Sequence, residues 1–357
     1  MKKFIISGLI FSFSLTFAVC PLAAQGGHES TDHEAESEKF NASEFIIEHI
    51  TDSHEWHILT KANGESVAIH LPIILYSKEK GLDIFSSKQL AHGRVHDGYM
   101  LVEEGDLSGK IVFVNESGEI NEEKLPLDLS ITKTVVGMLF AAIVGAILFI
   151  SLARSYKKTG VSAPKGIQGI LEPVVLFIRD DIARPNIGED KYEKYMPYLL
   201  SVFFFILINN LFGLIPAPPP FGANVTGNIA LTGVLALCTF VITQFSGNKE
   251  YWRHTFATPG VPFWLLPIMI PVELIGLITK PFALMIRLFA NITAGHIIVL
   301  SLICLIFIMG SFAIVPVSVL FVIFMDCVEL LVAFLQAYIF TLLSSLFIGL
   351  AMPEEHH

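Results

Sequence analysis

Charge is what this chain has least of. Asp, Glu, Lys and Arg make up 16% of its 357 residues, against roughly 25% in ordinary soluble domains. Apolar residues fill the gap at 53%, with a mean hydropathy of +0.63, so most of the chain is built for lipid rather than water. Cysteine is scarce too. Cys20, Cys238, Cys304 and Cys327 all lie in apolar runs and none falls in the polar stretch from 25 to 128, which excludes a disulfide framework there. The three later cysteines read as small packing residues. No basic patch is present to hold nucleic acid. The net charge of −10 comes mainly from acids crowded into the N-terminal third.

What is there falls into three parts, residues 1–24, 25–128 and 129–357. Lys2 and Lys3 precede an apolar run from Phe4 to Val19, and Pro21-Leu-Ala-Ala24 supplies a small-residue exit. That is the layout of a secretory signal peptide, with cleavage after about Ala24. An uncleaved first membrane helix is disfavoured by the short run and its Pro21 and Gly26-Gly27 flank, and a lipoprotein signal at Cys20 by the preceding Val19. The polar module at 25–128 opens on a His-, Asp-, Glu- and Ser-rich tail, Gln25 to Glu38, whose composition predicts disorder. Beyond it Trp56–Thr60, Ser66–Leu71 and Lys110–Val114 read as short strands between glycine turns. The histidines of this module, among them His28, His33, His54, His57, His92 and His96, repeat no tight ligand spacing. A solvated surface therefore outweighs a metal-binding tail.

From Leu129 onward the expectation is an all-α polytopic membrane domain with about five crossing helices. Val135–Leu152 is the first span, and Arg154, Lys157 and Lys158 follow it. The positive-inside rule then places the N-terminal module outside and the C-terminus in the cytoplasm. Ile167–Ile182 is too polar to span. Its apolar residues recur at helical spacing, which predicts an amphipathic interfacial helix stopped by Pro185. Leu199–Ile215 and Ile229–Gln244 are the next two spans. Phe263 to about Met309 and Val315–Leu350 each exceed the roughly 20 residues a perpendicular helix needs, which predicts two long, strongly tilted helices forming a hairpin at Gly310.

That hairpin carries the chemistry. Arg287 lies deep in an apolar stretch and cannot lose its proton. Holding it at bilayer depth costs about 2.5–3.5 kcal/mol on insertion scales, so it needs water, a counter-charge or a working pathway. Glu273 precedes it by fourteen residues, on the same helical face and about 21 Å along the axis. Asn291 follows one turn later on that face, while His296 falls on roughly the opposite one. In the second helix Glu329 and Gln336 share a face, with Asp326 one turn before Glu329. Antiparallel packing brings Asp326 and Glu329 level with His296 at the outer end, and Gln336 near the level of Arg287. Two protonatable clusters separated by a fixed positive charge form two half-channels that cannot short-circuit past it.

Lys280-Pro-Phe-Ala-Leu-Met-Ile-Arg287-Leu-Phe-Ala-Asn291-Ile-Thr-Ala-Gly-His296 resembles the signature of subunit a of the rotary F-type ATP synthase. Glu329 followed by Leu335-Gln336-Ala-Tyr-Ile-Phe340 resembles that family's last-helix motif, and Asn209–Pro216 and Ala223–Ala230 its earlier helices. The resemblance covers roughly residues 130–352. It implies that Arg287 faces a ring of c subunits and draws protons off each passing carboxylate, with Gln336 hydrogen-bonding nearby to hold it. It implies further that His296 and Glu329 are the outer-channel pair, Glu273 the inner-channel carboxylate, and Asn291 and Asn210 channel-lining amides. A peripheral b-subunit stalk, the remaining F1Fo subunits and lipid are the implied partners, in a bacterial inner membrane. No cofactor or metal is implied, and the chain does no chemistry on ATP itself.

Blander roles stand beside each of these: a snorkelling or paired Arg287, packing carboxylates at Glu273, Glu329 and Asp326, a helix-bridging Gln336, a satisfied core His296. A secondary transporter also uses intramembrane Arg, Glu and His, but would show internal repeats, and none is found. A metal-dependent membrane enzyme would need more than one histidine, and no His-Glu-x-x-His helix is present.

Overall fold

A computed structural model describes residues 42–352 except 61–65, 79, 103–106, 108, 115–119, 122–124, 160–165, 216–218, 257–261 and 263. The expected signal peptide, the acidic tail with His28 and His33, and the C-terminal Glu354–His357 lie outside these residues, as do the side chains of His57 and His92. The described residues divide into two compact units, one holding the polar module and one the membrane helices.

The polar module begins with helix α1 (Ala42–Ile50), followed by strands β1 (Glu55–Thr60) and β2 (Ser66–His70), which pair as an antiparallel hairpin. Strands β3 (Pro72–Ser77) and β4 (Gly81–Ser86) form a second hairpin. Strands β5 (Tyr99–Leu101), β6 (Ile111–Val114) and β7 (Ile120–Asn121) make a three-stranded sheet, and β8 (Leu127–Asp128) joins the free edge of β3. Alternation along β3 sends Ile73 and Leu75 inward, where they meet Leu90, Tyr99 and Ile111 in a small fully buried core. Tyr99 is large enough to need a polar partner when buried, and its hydroxyl donates to Asp83 Oδ2 at 2.6 Å. Burial, then the nearby Asp83 carboxylate, push its pKa up. Helix α1 and strands β3 and β4 were not read from the sequence. β3 carries three consecutive apolar residues, a run whose period favours neither helix nor strand.

Helix α2 (Lys133–Thr159) is the first span. Its N-terminus is closed from within the module: Asp52, eighty residues earlier, accepts from Thr132 Oγ1 at 2.8 Å and from the Thr134 main-chain N–H at 3.0 Å. The Lys133 N–H donates to Ser53 O at 3.0 Å. A carboxylate answering orphan N–H groups at a helix start also meets the positive end of the helix dipole.

In the membrane unit α3 (Ile167–Phe177) runs into a π-helical turn (Ile178–Ala183) and then α4 (Arg184–Ile187). Pro185 therefore does not stop the amphipathic segment, contrary to expectation. It sits in the first turn of α4, where its missing N–H leaves nothing broken. Gly188, at φ 98°, provides the stop. Arg179 and Arg184 both pair with Asp180, at 2.9 and 3.0 Å, on the solvent side. Ile178, Ile182 and Ala183 are fully buried against the spanning helices.

Those helices are α5 (Tyr192–Gly213), α6 (Ile229–Ser246), α8 (Leu266–Met309) and α9 (Val315–Leu350), with the short α7 (Lys249–Phe256) after α6. With α2 they make five helices long and apolar enough to cross a membrane among the described residues. The chain is thus an all-α polytopic membrane protein with a small strand-bearing N-terminal region. α5 begins seven residues before the predicted span, because Tyr192–Pro197 continue the helix beyond the apolar run. α8 and α9 hold 44 and 36 residues, about 66 and 54 Å long, against a hydrocarbon core of about 30 Å. α9 packs on both α8 and α5, and α6 packs on α8. A Cβ at Gly349 would land on the Asn186 carbonyl, so α9 approaches α4 as closely as backbone allows.

Candidate functional site

The α8–α9 hairpin brings together most of the residues singled out from the sequence. Arg287, Asn291 and Glu273 lie on one exposed face of α8. Among the described residues no carboxylate pairs with Arg287. Its anchor is the backbone: Gln336, 3% exposed on α9, donates from Nε2 to the Arg287 main-chain oxygen at 3.4 Å. Gln336 thus holds the helix at the arginine rather than the guanidinium itself. Leu284 and Leu288, which flank Arg287 on the inner side, are almost fully buried, and they fix which way the arginine faces.

Towards the other end of the hairpin, Glu329 of α9 lies against Gly295 of α8, and a Cβ there would strike the Glu329 carboxyl. Any larger residue there would require the Glu329 side chain to move. Glu329 Oε1 and Thr293 Oγ1 are both shielded and without a hydrogen-bond partner among the described residues. His296, the residue after Gly295, is half-buried, as is Asp326, one turn before Glu329. The Glu329 cluster and the Arg287 face are therefore separate sites along one helix pair.

Asn210 sits elsewhere. It is 3% exposed, accepts from Thr226 Oγ1 at 2.6 Å and donates to Ala333 O at 3.4 Å, so both ends of its amide tie α5 to neighbouring segments. Three hydroxyls escaped the sequence reading: Tyr198 of α5, Thr239 of α6 and Ser344 of α9 meet in the bundle interior at 2.7 and 3.2 Å. Single hydroxyls in apolar helices carry no periodic signal, and only packing of three helices brings these together. Thr239 also lines a small cleft with Thr243, Gln244, Tyr251 and Lys280. It holds about 20 Å³, room for a water molecule. Tyr251, on α7, has its pKa raised by burial and, beyond that, by the negative charge of Glu273. No group of three or more metal-ligating side chains occurs among the described residues.

These features define a class: a polytopic membrane protein whose longest helix pair carries an ionisable site, with an arginine presented outward in mid-helix. The family described as ATP synthase A chain matches residues 135–349, and a domain of unknown function, DUF8433, matches 45–130. The chain belongs to the ATP synthase A chain family. It is 50% identical over 234 residues to ATP synthase subunit a of Chloroherpeton thalassium, covering 64% of this chain and 69% of that one. Over 278 residues it is 47% identical to the subunit a of Pelodictyon phaeoclathratiforme, covering 75% and 79%. The subunit a of Myxococcus xanthus is 50% identical over 238 residues, covering 65% and 76%.

Proposed function

We propose that this chain is the ion-conducting stator of the F1Fo ATP synthase, offering two offset proton half-channels to a rotating ring of c subunits and coupling proton flow to ATP synthesis. The observation that carries this reading is Arg287, a permanent cation in mid-helix, exposed and unanswered by any carboxylate of the described chain. The counter-charge is the membrane carboxylate of a ring subunit. As that carboxyl passes, the guanidinium stabilises its ionised form and so drives release of its proton, and its fixed charge blocks direct flow between the half-channels. Glu329, His296 and Asp326 serve the outer half-channel. Glu273 serves the inner one, with the water-sized cleft at Tyr251 and Lys280 beside it. Asn291 lines the path on the arginine face, Gln336 positions Arg287 through its carbonyl, and Asn210 supports the wall from within the bundle.

The same reading places the chain in a bacterial inner membrane, beside the c-ring and the b-subunit stalk. A signal peptide at 1–24, an outer module at 25–128 and a membrane domain at 129–357 then follow one another, with the C-terminus in the cytoplasm. The test is ATP-driven proton pumping in vesicles carrying wild type or Arg287→Ala, with the ring pulled down to check assembly. Loss of pumping in an intact complex is the expected result. Pumping at the wild-type rate would remove Arg287 from that role, and the absence of an associated ring would overturn the stator reading.

A further inference from the structure

The hairpin β3–β4 turns one face into the module core and leaves the other bare. Ile74 pairs with Ile84, and Tyr76 pairs with both Leu82 and Leu127, so these five side chains share the outer face. Tyr76, Leu82, Ile84 and Leu127 are 48–64% exposed, a contiguous apolar patch of a kind that monomeric domains rarely leave open to water. Leu125 and Leu129, two residues either side of Leu127, extend it and are about as exposed.

The patch runs on to the start of the first span. Beyond β8 the chain keeps to the edge of β3: the Leu129 N–H donates to Ile74 O at 2.9 Å and the Ile131 N–H to Pro72 O at 3.1 Å. Two residues later Lys133 opens the first membrane span. Its N–H is tied back to Ser53, and Asp52 caps the same helix end. Four residues reach at most about 14 Å, and here they are pinned to the sheet. The sheet of β3, β4 and β8 is thus tied by hydrogen bonds to the start of α2. Tyr76, an aromatic residue with a polar tip, and exposed Lys78 at the β3–β4 turn suit the headgroup layer.

We infer that this sheet face rests on the bilayer, seating Ile74, Tyr76, Leu82, Ile84 and Leu127 in the lipid interface beside the first span. The module, whose matched family carries no assigned role, is then a membrane-lying foot that fixes the outer end of α2.

The test places a bimane fluorophore on Leu82→Cys, Ile84→Cys or, as the control on an exposed polar turn, Lys88→Cys. The assembled complex is reconstituted into phosphatidylcholine vesicles with or without brominated acyl chains. Cys238, Cys304 and Cys327 are first replaced by alanine so that the fluorophore reports only the new thiol. Severalfold stronger quenching at 82 and 84 than at 88 is the expected result, in the isolated chain and the complex alike. Quenching no stronger than at 88 would mean that protein or water, not lipid, meets the face. Quenching in the isolated chain that vanishes in the complex would assign the face to another subunit. Either outcome overturns the inference, and neither bears on proton pumping.

Discussion

The N-terminal module and the α8–α9 hairpin treat their polar groups in opposite ways. In the module Asp52 is answered by Thr132 and Thr134, Asp83 by Tyr99, and Asp128 by His54 at 2.9 Å and by the Ser130 main chain at 2.8 Å. In the hairpin Arg287 and Glu273 stand exposed, and a Glu329 oxygen is shielded without a hydrogen-bond partner among the described residues. Water would forgive unpaired carboxylates in the module, yet they are paired. Lipid does not forgive an unpaired arginine, yet that is what the hairpin presents. The module's charges serve its own stability; on the proposed function, the hairpin's are completed by a partner subunit.

The comparison breaks first at Arg287. Arg287→Lys keeps a positive charge but loses the planar, delocalised guanidinium, and proton pumping in vesicles falls to background with the ring still bound. Pumping retained in that variant would mean that any cation suffices. Next comes the Glu329 cluster. Gly295→Ala displaces the Glu329 carboxyl from its seat and lowers proton flux while Arg287 stays in place. Glu329→Gln slows flux too, without the steric clash, and an unchanged pH profile of flux in that variant would remove Glu329 from the path.

Smaller effects belong to the module. Asp52→Ala uncaps α2 and costs about 0.5–2 kcal/mol. Limited proteolysis of the module should therefore quicken, with the pumping rate unaltered. Equal loss of pumping would erase the distinction between the two regions. The smallest effect is the acid sensitivity of Asp128. Burial raises its pKa, but hydrogen bonds from His54 and Ser130 outweigh burial and hold it below the ordinary carboxylate value. A depressed folded pKa gives stability that is fully present above the unfolded value and lost as pH falls through the folded one. Module protease resistance should therefore decline in acid, and Asp128→Asn should flatten that decline.

Much of the membrane architecture was legible in the residue order. The apolar runs marked all five spans, because a helix in lipid must be apolar over most of its length. The ends were less legible. Tyr192–Pro197 are helical yet polar, and hydropathy registers lipid contact rather than hydrogen bonding. Pro185 read as a stop because a proline breaks an interior i→i−4 ladder, whereas here it opens a new turn. In the site, Arg287 and its face-mates Glu273 and Asn291 followed from helical spacing alone. The meeting of Gln336 with the Arg287 carbonyl, the seat of Glu329 over Gly295 and the Tyr198–Thr239–Ser344 junction did not.

By itself the sequence determined that the chain crosses a membrane as helices, that its longest pair carries a permanent cation among titratable groups, and that the cation shares a face with Glu273 and Asn291. Those are consequences of composition and of a fixed helical period. The tertiary structure alone decided that Glu329 is sequestered against a glycine, that Arg287 is held through its backbone and left open outward, and that Asp52 closes a helix eighty residues away. Each of these is a contact between segments distant in sequence, set by how closely two backbones can approach, and no local pattern along one chain encodes that distance.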